Sequence, residues 1–146
     1  MKDIIEEDGE AAMLEIIDLL NHYAWSLDKS DVARLNGVFS EHAVATVKVA
    51  GKYVSVEPWN GRDEIVEMLM SKRASNPNWR SHQLTTPLFI ALERDRATVK
   101  TYLSLFACER GQTPEIAVTG EYLAQVAGAP GAWKIDRLEL TLDSDV

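Results

Sequence analysis

The apolar periodicity of this chain changes once and does not change back. From Glu10 to Leu27, Met13, Ile16, Ile17, Leu20, Tyr23, Ala24 and Leu27 recur at three- and four-residue steps, the mark of a helix with one buried face. Two shorter helical stretches follow. Beyond the Ser75-Asn76-Pro77-Asn78 break the chain reads as strands: Trp79 to Leu92, Ala97 to Glu109, Glu115 to Ala127 and Trp133 to Leu142. Helices at the front and consecutive strands at the back predict an α+β fold with an antiparallel meander and exclude alternating βαβ units.

Ser30 is the expected cap of the second helix, Asp31 to Phe39, with Val32, Leu35, Val38 and Phe39 as its buried stripe. Ala43 to Val49 and Tyr53 to Val56 flank Ala50-Gly51-Lys52, which reads as a hairpin turn. The third helix, Gly61 to Met70, carries Ile65, Val66, Leu69 and Met70. The strands are joined by Glu93-Arg94-Asp95-Arg96, Gly111-Gln112-Thr113-Pro114 and Gly128-Ala129-Pro130-Gly131, all turn-like in composition. With 146 residues there is room for one domain, 1–146, with a core from about 10 to 142 and flexible tails at 1–9 and 143–146.

A 46% hydrophobic content places the chain among globular rather than disordered sequences. Its net charge of −8 repels phosphate backbones and anionic lipid, so nucleic acid and membrane are not expected partners. Cys108 is the only cysteine, which excludes an intrachain disulfide and fits a reducing cytoplasm. No signal-peptide pattern or apolar run of about 18 residues occurs, so neither export nor membrane spanning is expected. The strand around Tyr102 is apolar on both parities, with Tyr102, Phe106 and Cys108 opposite Leu103, Leu105 and Ala107. A sheet covered by helices on one face would then bury its other face against a second subunit, predicting a homo-oligomer.

Asp28 falls at the edge of the first helix's apolar stripe, where it either ends the helix or waits half-buried for a partner. His22 lies on the opposite, solvated side, and His42 sits at a helix-to-strand junction. His82 shares strand parity with Leu84, Leu88, Ile90 and Leu92, which points its imidazole to the apolar side of the sheet, although Pro87 can introduce a bulge. A histidine so placed is either a core residue bonded to a carbonyl or a base. Three histidines without an HxH or HExxH spacing predict no metal site. The serines lack a GxSxG elbow and the glycines form neither GxGxxG nor a P-loop, so no nucleophile or nucleotide cofactor is expected.

The string from Ile16 through Asn21-His22-Tyr23-Ala24-Trp25-Ser26-Leu27-Asp28, followed by Leu35-Asn36-Gly37-Val38-Phe39-Ser40-Glu41-His42-Ala43, resembles the opening of SnoaL-like domains. Asn60-Gly61-Arg62-Asp63-Glu64-Ile65, Arg80-Ser81-His82, Gly120-Glu121-Tyr122 and Trp133-Lys134-Ile135 with Arg137 extend the resemblance over about Glu10 to Leu142. These domains are related to nuclear transport factor 2, scytalone dehydratase and ketosteroid isomerase. The fold implied is a cone-shaped α+β barrel, a strongly curved, mixed but mainly antiparallel sheet wrapped around three helices, with a pocket at its open end.

Within that superfamily the chain looks most like scytalone and bile-acid dehydratases, in which a tyrosine and an aspartate of the first helix face a strand histidine. The matching residues are Tyr23, Asp28 and His82. The resemblance implies a carboxylate bonded to the imidazole, raising its pKa and making it a base for a carbon-bound proton, with Tyr23 as acid or oxyanion donor. Tyr53, Trp59 and Arg137 are the expected substrate-binding residues, Tyr53 and Arg137 having structural alternatives as a cross-strand packing residue and a salt-bridge partner. The family's histidine is often followed by threonine-asparagine, whereas Gln83-Leu84-Thr85-Thr86-Pro87 supplies no asparagine.

These features predict a cofactor-independent lyase or isomerase acting on a small, mostly apolar cyclic molecule such as a polyketide, steroid or aromatic compound. The same fold also serves as a non-catalytic ligand carrier or as an assembly subunit resembling the small subunit of ring-hydroxylating dioxygenases. Epoxide hydrolysis through a buried Asp-Arg-Asp arrangement is a third possibility, using Asp28 and Arg137 but lacking a convincing second aspartate. Both dimers and trimers occur on this fold.

Overall fold

The computed structural model describes residues 6–54 and 57–144; Val56, the expected end of an early strand, lies outside them. The first helix, α1 (Glu6–Lys29), starts four residues earlier than its apolar pattern, so residues 6–9 are helical rather than tail. It buries Ile16, Leu20, Tyr23 and Leu27, while Met13 at the stripe's edge is exposed. Each such side chain, fully removed from water, stabilises the fold by about 1.5–3 kcal/mol.

Ser30 does not cap the second helix. Its φ of 53° is left-handed and its N–H bonds the Leu27 carbonyl, so it closes α1, and a residue in that conformation cannot serve as the extended N-cap of the next helix. Asp31 caps α2 (Val32–Val38) instead, its carboxylate accepting the Arg34 N–H at 3.1 Å. Leu35 and Val38 are buried as expected, whereas Val32 faces solvent.

Phe39 already belongs to β1 (Phe39–Val49), which turns through Ala50 and Gly51 into β2 (Lys52–Tyr53). Both turn residues have positive φ, 51° and 82°, the two-residue turn whose twist suits a hairpin, and glycine takes the second position without strain. A short strand, β3 (Trp59–Asn60), leads into α3 (Arg62–Ser75), which runs past the expected end at Met70.

The single strand expected over Trp79 to Leu92 is two, β4 (Trp79–Leu84) and β5 (Leu88–Leu92), each paired with β6 (Arg96–Ala107). Pro87 lacks an N–H for the ladder, and Thr85 ties the break to β6 by accepting the Tyr102 N–H on its hydroxyl at 3.0 Å. The interruption flips the parity expected from His82 at Leu88 and Ile90, which are exposed while Phe89 packs on the core; a register shift between Phe89 and Ala91 returns Leu92 to the core side, as expected. The last two strands are β7 (Glu115–Ala127) and β8 (Lys134–Leu142).

The sheet order is β2-β1-β8-β7-β6-β4, with β3 attached to β1 and β5 to β6. Only β1 and β8 pair in parallel among the described strands, so the sheet is mixed and mainly antiparallel; it is not closed, and the barrel implied by the resemblance is an open one. All three helices contribute to the one core, with Ile16 of α1, Leu35 of α2 and Ile65 of α3 fully buried together with Phe39, Ile135 and Leu138 of the sheet.

Candidate active site

The last two turns of α1 deliver two polar side chains to the inner face of the sheet. Tyr23 is buried within the apolar stripe, and Asp28, five residues on, is half-buried at its edge. Across from them β4 carries a bulge. Arg80 pairs with Phe106 and Gln83 with Ser104, so Ser81 and His82 together face Leu105, and Ser81 takes a left-handed φ of 56°.

Asp28 holds this bulge. Its carboxylate oxygens accept the main-chain N–H of His82 at 3.0 and 3.2 Å, and the Ser81 N–H also contributes. The bond implied by the resemblance, from Asp28 to the imidazole, is replaced by one to the main chain of the same residue. The imidazole turns away to Tyr122: its Nε2 lies 3.1 Å from the Tyr122 hydroxyl, which in turn accepts the Tyr23 hydroxyl at 3.2 Å. The rings of Tyr23, His82 and Tyr122 stand 5.5–5.9 Å apart, centroid to centroid.

Burial sets the protonation of this cluster. It lowers the His82 pKa to about 4, so the imidazole is neutral near pH 7 rather than held as a cation by a carboxylate. It raises the pKa of Tyr23 and Tyr122 above the ordinary phenol value, keeping both hydroxyls protonated and able to donate. Asp28 is also raised, first by burial, against the opposing effects of the His82 amide, Arg73, Lys29 and the Ser81 amide.

These side chains line a cavity of about 100 Å³ whose other walls are mainly apolar, among them Leu27, Leu69, Trp79, Leu103, Val118 and Leu140. Lys72 and Arg73 of α3 border it as well. Arg73 is occupied with the main chain, donating to the carbonyls of Leu27, Asp28 and Asn76 at 2.8–3.2 Å and thereby closing the end of α1.

The structure therefore brings Tyr23, Asp28 and His82 to one cavity and separates them from the other three expected residues. Trp59 lines a neighbouring groove. Tyr53 is 60% exposed on β2 with the Lys48 ammonium over its ring, since a two-residue strand at the sheet's end has no inward partner. Arg137 lies on the exposed parity of β8 beside Glu139, 3.4 Å away, and so outside the cavity lining. His22 pairs with Asp18 on the solvent side of α1.

Tyr122 is the site residue that sequence reasoning passed over. Its signal was parity: it alternates inward with Val118, Gly120, Ala124 and Val126, and a tyrosine on such a face needs a partner for its hydroxyl. Among the described residues no group of three or more His, Cys, Asp or Glu side chains is arranged to hold a metal ion.

Three helices over an open, mainly antiparallel sheet define the class of fold, and the sequence places the chain in a family. The profile of the SnoaL-like domain matches residues 11–139, and the chain is a member of that family. No curated protein matches it in sequence. Solved structures of the same fold include the β subunit assigned to an aromatic-ring-hydroxylating dioxygenase of Novosphingobium aromaticivorans, at TM-score 0.78 and 15% identity over 94% of this chain and 92% of that one. A scytalone dehydratase-like protein of the same organism superposes at TM-score 0.74 with 21% identity, over 97% and 93% of the two chains. The hexachlorocyclohexane dehydrochlorinase LinA-type3 of Novosphingobium barchaimii does so at 0.72 with 17% identity, over 94% and 90%. At these identities the likeness is one of fold.

Proposed function

We propose that the protein is a cofactor-independent lyase or isomerase that removes a carbon-bound proton from a small cyclic substrate. The observation that carries this is the hydrogen-bonded series Tyr23, Tyr122, His82 at the wall of an otherwise apolar cavity. A neutral imidazole there is a base, and two protonated phenols beside it are donors for a carbonyl oxygen. His82 takes the proton α to a carbonyl on Nε2 as the electron pair moves onto the oxygen, and the Tyr122 hydroxyl, released from Nε2 when the substrate binds and still held by Tyr23, donates a hydrogen bond to that oxygen. In a dehydration, the imidazolium returns its proton to the departing hydroxyl, which leaves as water. The low pKa of His82 comes from burial; an enolate formed beside the imidazolium raises it by direct charge attraction. Asp28 is a positioning residue in this scheme, fixing His82 through its main chain.

Hydrogen exchange tests this without knowing the natural substrate. A panel of cyclic ketones and β-hydroxyketones in D₂O, followed by NMR, is expected to show deuterium incorporation or water loss that falls at least about 100-fold in His82→Gln. Equal rates for wild type and His82→Gln, or no exchange above buffer across the panel, overturn it.

A second reading, a ligand-binding or assembly module, is favoured by one observation: Asp28 is engaged with main-chain amides, leaving the imidazole without a carboxylate partner. Epoxide hydrolysis loses its support, because Arg137 is on the outer surface and, among the described residues, Asp28 is the one aspartate lining the cavity. No helix among the described residues is long and apolar enough to cross a membrane. A cytoplasmic setting and a homo-oligomeric state, dimer or trimer, complete the proposal. They rest on the single cysteine and on the exposed apolar residues of the outer sheet face.

A further inference from the structure

We infer that the substrate is a single-ring molecule bearing one anionic group and an apolar tail, and that Lys72 and the groove between α3 and β1 select it. This deepens the acid–base proposal for the His82 cavity and rests on it.

Size gives the first constraint. An apolar cavity of about 150 Å³ accommodates one benzene, and sites for drug-sized ligands run to about 300–1,000 Å³. At about 100 Å³ the space beside His82 is smaller than that and takes at most one ring. A larger substrate has to extend outward, and the structure provides the place. A groove of about 610 Å³ shares Leu69, Lys72, Leu140 and Leu142 with the cavity. Val47, Val49, Val54, Trp59 and Met68 give it apolar walls.

Charge gives the second. Lys72 stands at the junction of the two spaces, three residues after Leu69 on the same face of α3. Its neighbour Arg73 is engaged with three carbonyls, and Asp28 has Arg73 and Lys29 as its nearby cations. Among the described residues no carboxylate lies within 4.0 Å of the Lys72 ammonium, so its charge is available to a ligand. Glu64 and Glu67 lie further toward the N-terminal end of α3. Glu64 is occupied with the Asn60 N–H, and Glu67 is five residues, about 7.5 Å of helix rise, from Lys72. An anion is therefore favoured at the junction and disfavoured farther out, where the tail lies.

Salicylate, 6-pentylsalicylate and 6-pentylsalicylamide separate ring, tail and charge, and titration calorimetry reads their affinities. The pentyl acid is expected to bind at least tenfold more tightly than salicylate, and at least fivefold more tightly than the uncharged amide. Lys72→Met is expected to abolish the preference for acid over amide, and Met68→Trp, which fills the groove, to reduce the gain from the tail to less than threefold. A tail gain below threefold in the wild type, or an acid preference that survives in Lys72→Met, overturns the inference. The two proposals fail separately. Exchange that persists in His82→Gln removes the acid–base chemistry whatever the ligand preferences are, whereas His82-dependent exchange without tail or charge preference removes the present inference alone.

Discussion

Ser81 occupies a left-handed backbone conformation that costs a non-glycine residue about 1–2 kcal/mol, and the Asp28 carboxylate holds it there through the adjacent amides. Losing a charged acceptor for main-chain N–H groups costs about 1.5–3 kcal/mol. Asp28→Ala is therefore expected to destabilise the fold by about 2–3 kcal/mol in urea unfolding, and adding Ser81→Gly, which relieves the left-handed strain, to recover part of it. No recovery would mean that Asp28 does not act through the bulge. The His82 pKa supplies a second expectation, with Tyr23 and Asp28 from α1, Tyr122 from β7 and Lys72 and Arg73 from α3 as the titratable or charged groups around the cavity. A histidine whose pKa falls from 6.5 unfolded to about 4 folded binds its proton more readily in the unfolded chain. Its contribution is intact above pH 6.5 and is lost as pH falls toward 4, a loss of up to about 3 kcal/mol. Asp28, raised on folding, has the opposite sign, so its ionisation opposes stability as pH rises through its folded pKa. Stability measured between pH 7 and 4 should fall more steeply in wild type than in His82→Gln, and equal slopes would remove the buried neutral imidazole. At this scale the sequence revealed which residues meet but not how. Helix face and strand parity placed Tyr23, Asp28 and His82 on or at the edge of apolar surfaces and the family resemblance grouped them, whereas the amide bonds of Asp28 depend on a β-bulge that no local pattern encodes.

The elements are held in register near the site by contacts that join distant parts of the chain. Arg73, in the last turn of α3, caps the carbonyl end of α1 and so fixes the turn that carries Asp28 relative to β4. Three charged hydrogen bonds to carbonyls, partly buried, make it costly to remove. Arg73→Met is expected to lose about 2–4 kcal/mol in chemical denaturation, and Arg73→Lys to recover little, since an ammonium cannot match the planar fork. A lysine variant as stable as wild type would show that only the charge matters. Gly120 does related work inside the sheet: a Cβ there would meet the Thr141 carbonyl of the neighbouring β8, so its absence lets β7 and β8 approach beside Tyr122. Helix and strand identity were legible because each follows one periodicity. The errors fell where a single residue changes the backbone: Ser30 closing α1 rather than capping α2, and Pro87 dividing a strand and turning Leu88 and Ile90 outward. Tyr53 and Arg137 lie outside the cavity lining for a different reason, since facing inward depends on the sheet's ends and pairing, which residue type does not report.

Taken whole, the molecule has one sheet face covered and one bare. The helices bury the inner face, while on the outer face Leu88 of β5, Tyr102 of β6 and Ile116 of β7 are 65%, 66% and 63% exposed. Phe106, paired with Ile116 across β6 and β7, continues that surface, and Lys100 and Glu121 lie among these residues. A net charge of −8 keeps copies apart at long range, so association requires enough apolar contact to exceed the repulsion, and added salt should favour it. A stable interface removes about 1,200–2,000 Å² from water, and large side chains at its centre contribute most of the affinity. On the proposal that a second copy covers this face, light scattering after size exclusion should give a multiple of 16.3 kDa that rises in population with salt. Placing two ammonium groups there, in Tyr102→Lys with Ile116→Lys, leaves the inner core untouched and should yield a folded monomer. A wild type that is monomeric at tens of micromolar in high salt would refute the covered face, and an oligomer that survives the double substitution would move the contact to another surface. Because the His82 cavity is built from α1, α3 and the inner sheet face, the monomeric variant should keep the hydrogen-exchange activity proposed for the wild type. Loss of exchange in a folded monomer would mean that the second copy shapes the cavity through the sheet.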